Sequence, residues 1–172
     1  QEAIDDEDDT NEDDVLKSAD PKVVALIKSA QDAATAATLR AEAAEKIAKA
    51  NGATVIATYE ICEWLNRKGV SSTHAMNIGG THRFPFGRVK MTSALHTSML
   101  PDGSYGGSAV GFLLFLRGGN VYFACDTGLF LDMQLIGEHG LELAVLPIGD
   151  NFTMGPEDAL RAITLLRPRK VV

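Results

Sequence analysis

Ala109-Val-Gly-Phe-Leu-Leu-Phe-Leu-Arg-Gly-Gly-Asn-Val-Tyr-Phe-Ala-Cys-Asp-Thr-Gly128 is the stretch that decides the fold class. Its apolar runs, 109–116 and 120–125, flank Arg117-Gly118-Gly119, the pattern of an antiparallel hairpin. A short helix over Leu131–Glu138 and a buried strand over Leu141–Ile148 follow. Gly155 and Pro156 then open a last helix to about Leu166, with Glu157 and Asp158 complementing its dipole. Past Pro168, Lys170-Val171-Val172 reads as the start of a strand with nowhere to go. Upstream, Ala53–Ala57 is a short buried strand, and Thr58 caps a helix that runs to Lys68 and stops at Gly69. His74–Ile78 and Gly87–Leu95 are further strand candidates, with His82 in a Thr-His-Arg turn between them. Thr97–Ser108 is a Gly-rich loop around the turn Pro101-Asp102-Gly103. Strands interleaved with helices in this order give an α/β domain with helices over the sheet faces.

The chain has 172 residues, enough for one domain with a sizeable core. Its net charge of −7 is local, because residues 1–14 hold nine acids and no Lys or Arg. The rest carries 14 acids against 16 bases, which favours neither nucleic-acid binding nor a strongly acidic fold. Residues 1–17 are expected to be a solvated acidic tail. Residues 18–50, rich in Ala, Lys and Glu, favour helix that Asn51-Gly52 closes. Two cysteines, Cys62 and Cys125, make no disulfide framework, so a reduced, cytoplasmic setting is expected. No apolar run approaches a membrane span, and the N-terminus has no signal-peptide pattern.

In α/β sheets, working residues collect past strand C-termini. His96 would end the strand Arg88–Leu95, and Asp126 would end the strand Val121–Cys125. Imidazole with carboxylate suits Zn, Mn or Fe. Taken singly, a histidine placed like His96 is more often a satisfied structural residue, and an aspartate before Thr-Gly, like Asp126, is equally often a turn-maker. Gly149–Gly155, containing Asp150, Asn151 and Thr153, lies before a helix N-terminus. It either presents backbone N–H groups to an anionic substrate group or merely caps the helix.

Several segments together resemble one family: Gly52-Ala-Thr-Val-Ile-Ala-Thr-Tyr-Glu60, Met76-Asn-Ile-Gly-Gly80, Ala94-Leu-His-Thr-Ser98, Pro101-Asp-Gly-Ser-Tyr-Gly-Gly107, Asp126-Thr-Gly-Leu-Phe130 and Leu146-Pro-Ile-Gly-Asp-Asn-Phe-Thr-Met-Gly-Pro-Glu-Asp-Ala159. Over roughly residues 40–172 the chain is similar to the metal-dependent hydrolases of the metallo-β-lactamase fold superfamily. The resemblance implies an αβ/βα sandwich with a one- or two-metal site along one edge of the two sheets. It places His96 and Asp126 among the metal ligands, and Asp150, Asn151 and Thr153 at the mouth of the site. It implies a small-molecule substrate, with an ester, lactone or phosphoester attacked by metal-activated water.

The departures from the family are specific. Its His-x-His-x-Asp-His motif should fall shortly before Arg40, where Gln31-Asp-Ala-Ala-Thr-Ala-Ala37 stands instead. Its opening strands are missing too, and a further histidine ligand is expected past a strand like Lys170–Val172. Phe123 stands where relatives commonly carry His, and Cys125 where they carry Gly. The expectation is therefore a partial sandwich over 18–172 that binds metal weakly. Either the chain is a truncated or mis-framed reading of a hydrolase, or it is a metal-free paralogue serving as an interaction module. Its oligomeric state stays open.

Overall fold

The structure, a computed structural model, describes residues 43–172. The expectations of an acidic tail over 1–17 and of helix over 18–42 lie outside these residues. Residues 43–51 are helical (α1) and end at Gly52, whose φ of +59° glycine takes without strain. Then come β1 (Val55–Thr58), α2 (Tyr59–Arg67), β2 (Thr73–Met76), β3 (Thr81–Phe84) and β4 (Gly87–Ser93). They are followed by β5 (Val110–Leu116), β6 (Gly119–Phe123), α3 (Met133–Gly137), β7 (Leu141–Val145), α4 (Pro156–Leu166) and β8 (Lys170–Val171).

β1 and β2 pair in parallel as a two-stranded sheet, and the other six form one sheet in the order β3-β4-β5-β6-β7-β8. β3 to β6 are antiparallel neighbours, whereas β7 joins β6, and β8 joins β7, in parallel. Two expectations change here. Thr81–Phe84 is not a turn but a strand, hairpinned to β4 across Pro85-Phe86. Lys170-Val171 does have a partner: it pairs with Leu143 and Ala144, and the Val172 N–H extends the ladder to Ala144 O.

One face of the large sheet packs under α3 and α4, with Leu113, Tyr122, Ala144, Met133, Ala162 and Leu166 fully buried. Each large apolar side chain removed from water there contributes roughly 1.5–3 kcal/mol. On the other face, β2 lies against the β3–β4 edge, where the rings of His74 and His82 approach to 4.1 Å and both meet Phe84. Val89 and Met91 are buried on that side. Farther along the same face Phe112, Leu114, Val121, Leu143 and Val145 are only half-buried, and Phe123 is exposed.

α2 packs Trp64 and Leu65 with Ala48, Val70 and Leu100 in a second core. Thr58 stands at its N-cap in extended conformation but makes no cap bond. Its hydroxyl instead donates to Gly106 O at 2.9 Å, fastening the Gly-rich loop to this helix.

Candidate functional site

The strand register fixes which loops meet. Ser93 opposes Val110, and Phe123 opposes both Phe112 and Val145, so the C-terminal ends of β4, β6 and β7 share one edge. The strands stop earlier than their sequences suggest: β4 ends at Ser93, not Leu95, and β6 at Phe123, not Cys125. His96 and Asp126 therefore sit on the irregular segments just beyond.

Those segments are tied by Thr127, which is fully buried. Its hydroxyl accepts from Leu95 N at 2.8 Å and donates to Gly128 O at 2.8 Å. Gly128 N returns a bond to Leu95 O at 3.0 Å, and Thr127 O accepts from Met154 N at 2.9 Å. One residue thus joins the His96, Asp126 and Asp150–Thr153 segments. Sequence reading passed it over, and the only available signal was a β-branched hydroxyl set between a strand end and a glycine.

His96 is exposed, and its Nδ1 lies 2.7 Å from Thr97 O. A carbonyl oxygen only accepts, so Nδ1 carries a proton, and in the neutral ring the lone pair falls on Nε2. Metal-ligating histidines have this arrangement, the second nitrogen donating to a carbonyl or carboxylate. Asp126 is also exposed, on the segment that the Thr127 bonds draw alongside Leu95. Beside it, the Cys125 thiol is pushed up by surrounding protein atoms and then by the Asp126 charge. In the strand behind, burial pushes the Tyr122 phenol up to about 12, which removes it from proton transfer near neutrality.

The 150–154 loop is closed on itself. Asp150 Oδ1 accepts from Asn151 N at 2.9 Å, Asp150 O from Thr153 N at 3.2 Å, and the Thr153 hydroxyl turns to Met154 O at 3.4 Å. Asp150 and Asn151 are exposed, with φ of 57° and 50°. The cleft at the N-terminus of α4 is lined by Asp150, Glu157 and Asp158, the last two in the first turn of the helix, where negative charge suits its dipole.

As a metal site, the donors fit in kind and fall short in number. A catalytic zinc takes three protein ligands, and among the described residues no three His, Cys, Asp or Glu side chains gather. Nor, among them, is any helix long and apolar enough to cross a membrane.

A profile described as the beta-lactamase superfamily domain matches residues 12–172, reaching well upstream of residue 40, where the sequence resemblance begins. The chain belongs to the beta-lactamase superfamily. Within it, a UPF0173 metal-dependent hydrolase of Thermus thermophilus is 54% identical over 121 residues, covering 70% of this chain and 54% of that one. A Deinococcus radiodurans metal-dependent hydrolase is 50% identical over 121 residues, covering 70% and 53%. This superfamily member spans about half the length of the curated relatives it matches. Among solved structures, a metallo hydrolase of Ignicoccus hospitalis superposes with a TM-score of 0.67 at 37% identity, covering 74% of this chain and 55% of that one. A metallo-beta-lactamase fold protein of Bacillus subtilis gives 0.52 at 8% identity, covering 69% and 50%, a likeness of fold alone. The α/β, metallo-β-lactamase-type fold expected from the sequence is the one observed.

Proposed function

We propose that this chain carries part of the active site of a metal-dependent hydrolase acting on a small molecule. His96 Nε2 and the Asp126 carboxylate would hold a divalent metal, zinc first, with Mn or Fe as alternatives. When bound, the metal supplies Lewis acidity and a lowered water pKa for hydrolysis of an ester, lactone or phosphoester. The chain's own residues position the donors: the Thr97 carbonyl orients the imidazole, and Thr127 draws the three segments together. The two free cysteines suit a reducing, cytoplasmic compartment. The observation that carries this reading is the His96 tautomer set by Thr97, on a segment bonded to the one bearing Asp126.

Zinc titration followed by calorimetry and by the His96 ring resonances tests it. Binding should be weak, and His96→Ala should abolish it. Tight binding that survives His96→Ala would overturn the assignment of ligands.

A second reading, a metal-free interaction module, draws on the half-exposed apolar face carrying Phe112, Leu114, Val121 and Phe123. It expects a cooperative melt and no metal by elemental analysis of the purified chain.

A further inference from the structure

A cavity of about 250 Å³ opens between α3 and β4, on the helix-covered face of the large sheet. Strand alternation puts Lys90 and Thr92 of β4 on this face, opposite Leu113 and Gly111 of β5. Phe130, Leu135 and Ile136 form the wall on the α3 side. The third wall, Ile78-Gly79, is fixed to β4: Gly79 N donates to Met91 O at 2.8 Å, and Met91 N donates to Gly80 O at 3.0 Å. Asp132 and His139 also line the cavity but are exposed, where water and salt screen charge.

One group lining this cavity is left unused by the fold. Thr92 is only 6% exposed, and among the described residues its Oγ1 has no hydrogen-bond partner; nor has the hydroxyl of the fully buried Tyr122. The Thr92 hydroxyl lies near enough to offset part of the rise that burial causes in the Tyr122 phenol, yet no bond forms between the two. β5 leaves room for it, since a Cβ at Gly111 would stand 2.8 Å from Thr92 Oγ1. A buried hydroxyl without a partner works against folding, and valine would fill the same shape. Threonine at this position is accounted for when a molecule entering the cavity completes its hydrogen bonding.

Lys90 decides the kind of molecule. It precedes Thr92 by two residues on the same face, about 7 Å away along the strand, a distance that a lysine stem spans. An ammonium and a hydroxyl so placed can both donate to one carboxylate, the first through a charge-assisted bond. Leu113, Phe130 and Ile136 offer the remainder of the ligand an apolar surface, in a space that suits one ring or a short chain. We propose that this cavity binds a small apolar monocarboxylate, with its carboxylate on Lys90 and Thr92. The proposal does not depend on a metal at His96.

The test uses the full chain, isotope-labelled, with benzoate and hexanoate as probes and benzamide and hexanamide as their uncharged counterparts. At least one acid should shift the amides of Gly79, Lys90, Thr92, Leu135 and Ile136 while those of 95–98 and 126–128 stay in place. Its amide should bind about tenfold more weakly. Lys90→Met, which keeps an unbranched stem and removes the ammonium, should cost the acid about tenfold and its amide little. Thr92→Val should weaken the acid about fivefold and leave the denaturant midpoint of the free protein equal or higher. That midpoint separates a hydroxyl kept for a ligand from one that the fold needs. No shift with either acid, shifts confined to 95–98, an amide that binds as tightly as its acid, or full affinity in either variant would each overturn the proposal. So would a lower midpoint in Thr92→Val, which would show the hydroxyl already satisfied within the protein.

Discussion

At the end of the six-stranded sheet away from His96, glycines take most of the conformations that other residues resist: Gly87, Gly119 and Gly140 have φ of 154°, 123° and 69°, and Arg167 at the close of α4 is the non-glycine exception there, at 49°. At the end that carries His96 and Asp126, left-handed backbone falls on Cys125, Asp150 and Asn151, with φ of 58°, 57° and 50°. Asp and Asn tolerate that region; Cys does so at a cost of roughly 1–2 kcal/mol. The first end is built for closure and the second for placing side chains, which is where strained backbone collects in proteins. The comparison can be attacked from either end.

The largest effect should come from the closure end. A Cβ at Gly137 would stand 2.6 Å from Leu166 O and 2.7 Å from Leu165 O, where α3 crosses the last turn of α4. Backbone atoms there cannot step aside, so Gly137→Ala should cost about 3 kcal/mol by denaturant unfolding. The amides of 95–97 and 126–128 should keep their shifts. If those loops moved as much as α3 and α4 did, the two ends would not be independent.

At the site end, Thr127→Val removes the acceptor of Leu95 N without changing side-chain shape. An unpaired N–H there should cost about 2 kcal/mol. Thr127→Ser should recover most of it, because the hydroxyl returns. Zinc shifts at His96 should weaken in the valine variant and return in the serine one. Equal zinc response in all three proteins would mean that Thr127 holds the fold and not the site.

How much of this was legible in the sequence follows from the range of each interaction. The hairpin 109–125, the last helix and the strand at Val55 are written in local periodicity and turn residues, and they stand in kind, with strand ends moved by one or two residues. β3 was not, because Thr81-His-Arg-Phe84 has exposed residues at three of four positions, and only pairing with β4 makes it a strand. The strand at Lys170 was legible but its partner was not, since parallel pairing across α4 leaves no local mark. His96 and Asp126 were visible as residue types past strand ends. Their common tie at Thr127, and the bond from Trp64 to Asp102, link positions 32 and 38 residues apart and belong to tertiary structure alone.

Cys125→Gly is a smaller change and sharpens the contrast by making the site end resemble the closure end. Relief of the left-handed strain, partly offset by greater freedom of the unfolded chain, should stabilise the protein by up to about 1 kcal/mol. Thermal and denaturant unfolding would show it. A loss of stability would mean that the Cys125 side chain, whose thiol reaches Phe123 O at 3.8 Å, matters more than its backbone.

The least disruptive probe is acid. The Asp102 carboxyl is held below its ordinary value, first by the bonds from Ser104 and then by the indole of Trp64. A carboxylate with a depressed folded-state pKa adds stability that is complete above the unfolded value and lost as pH falls through the folded one. Neutral solutions therefore keep these bonds, and they should release only at a pH below that at which an ordinary aspartate titrates. The chain has one tryptophan, so its fluorescence and indole N–H resonance report the event without interference. Asp102→Ala should erase that acid transition while leaving the sheet intact. A transition that persisted in this variant would place the titrating group elsewhere.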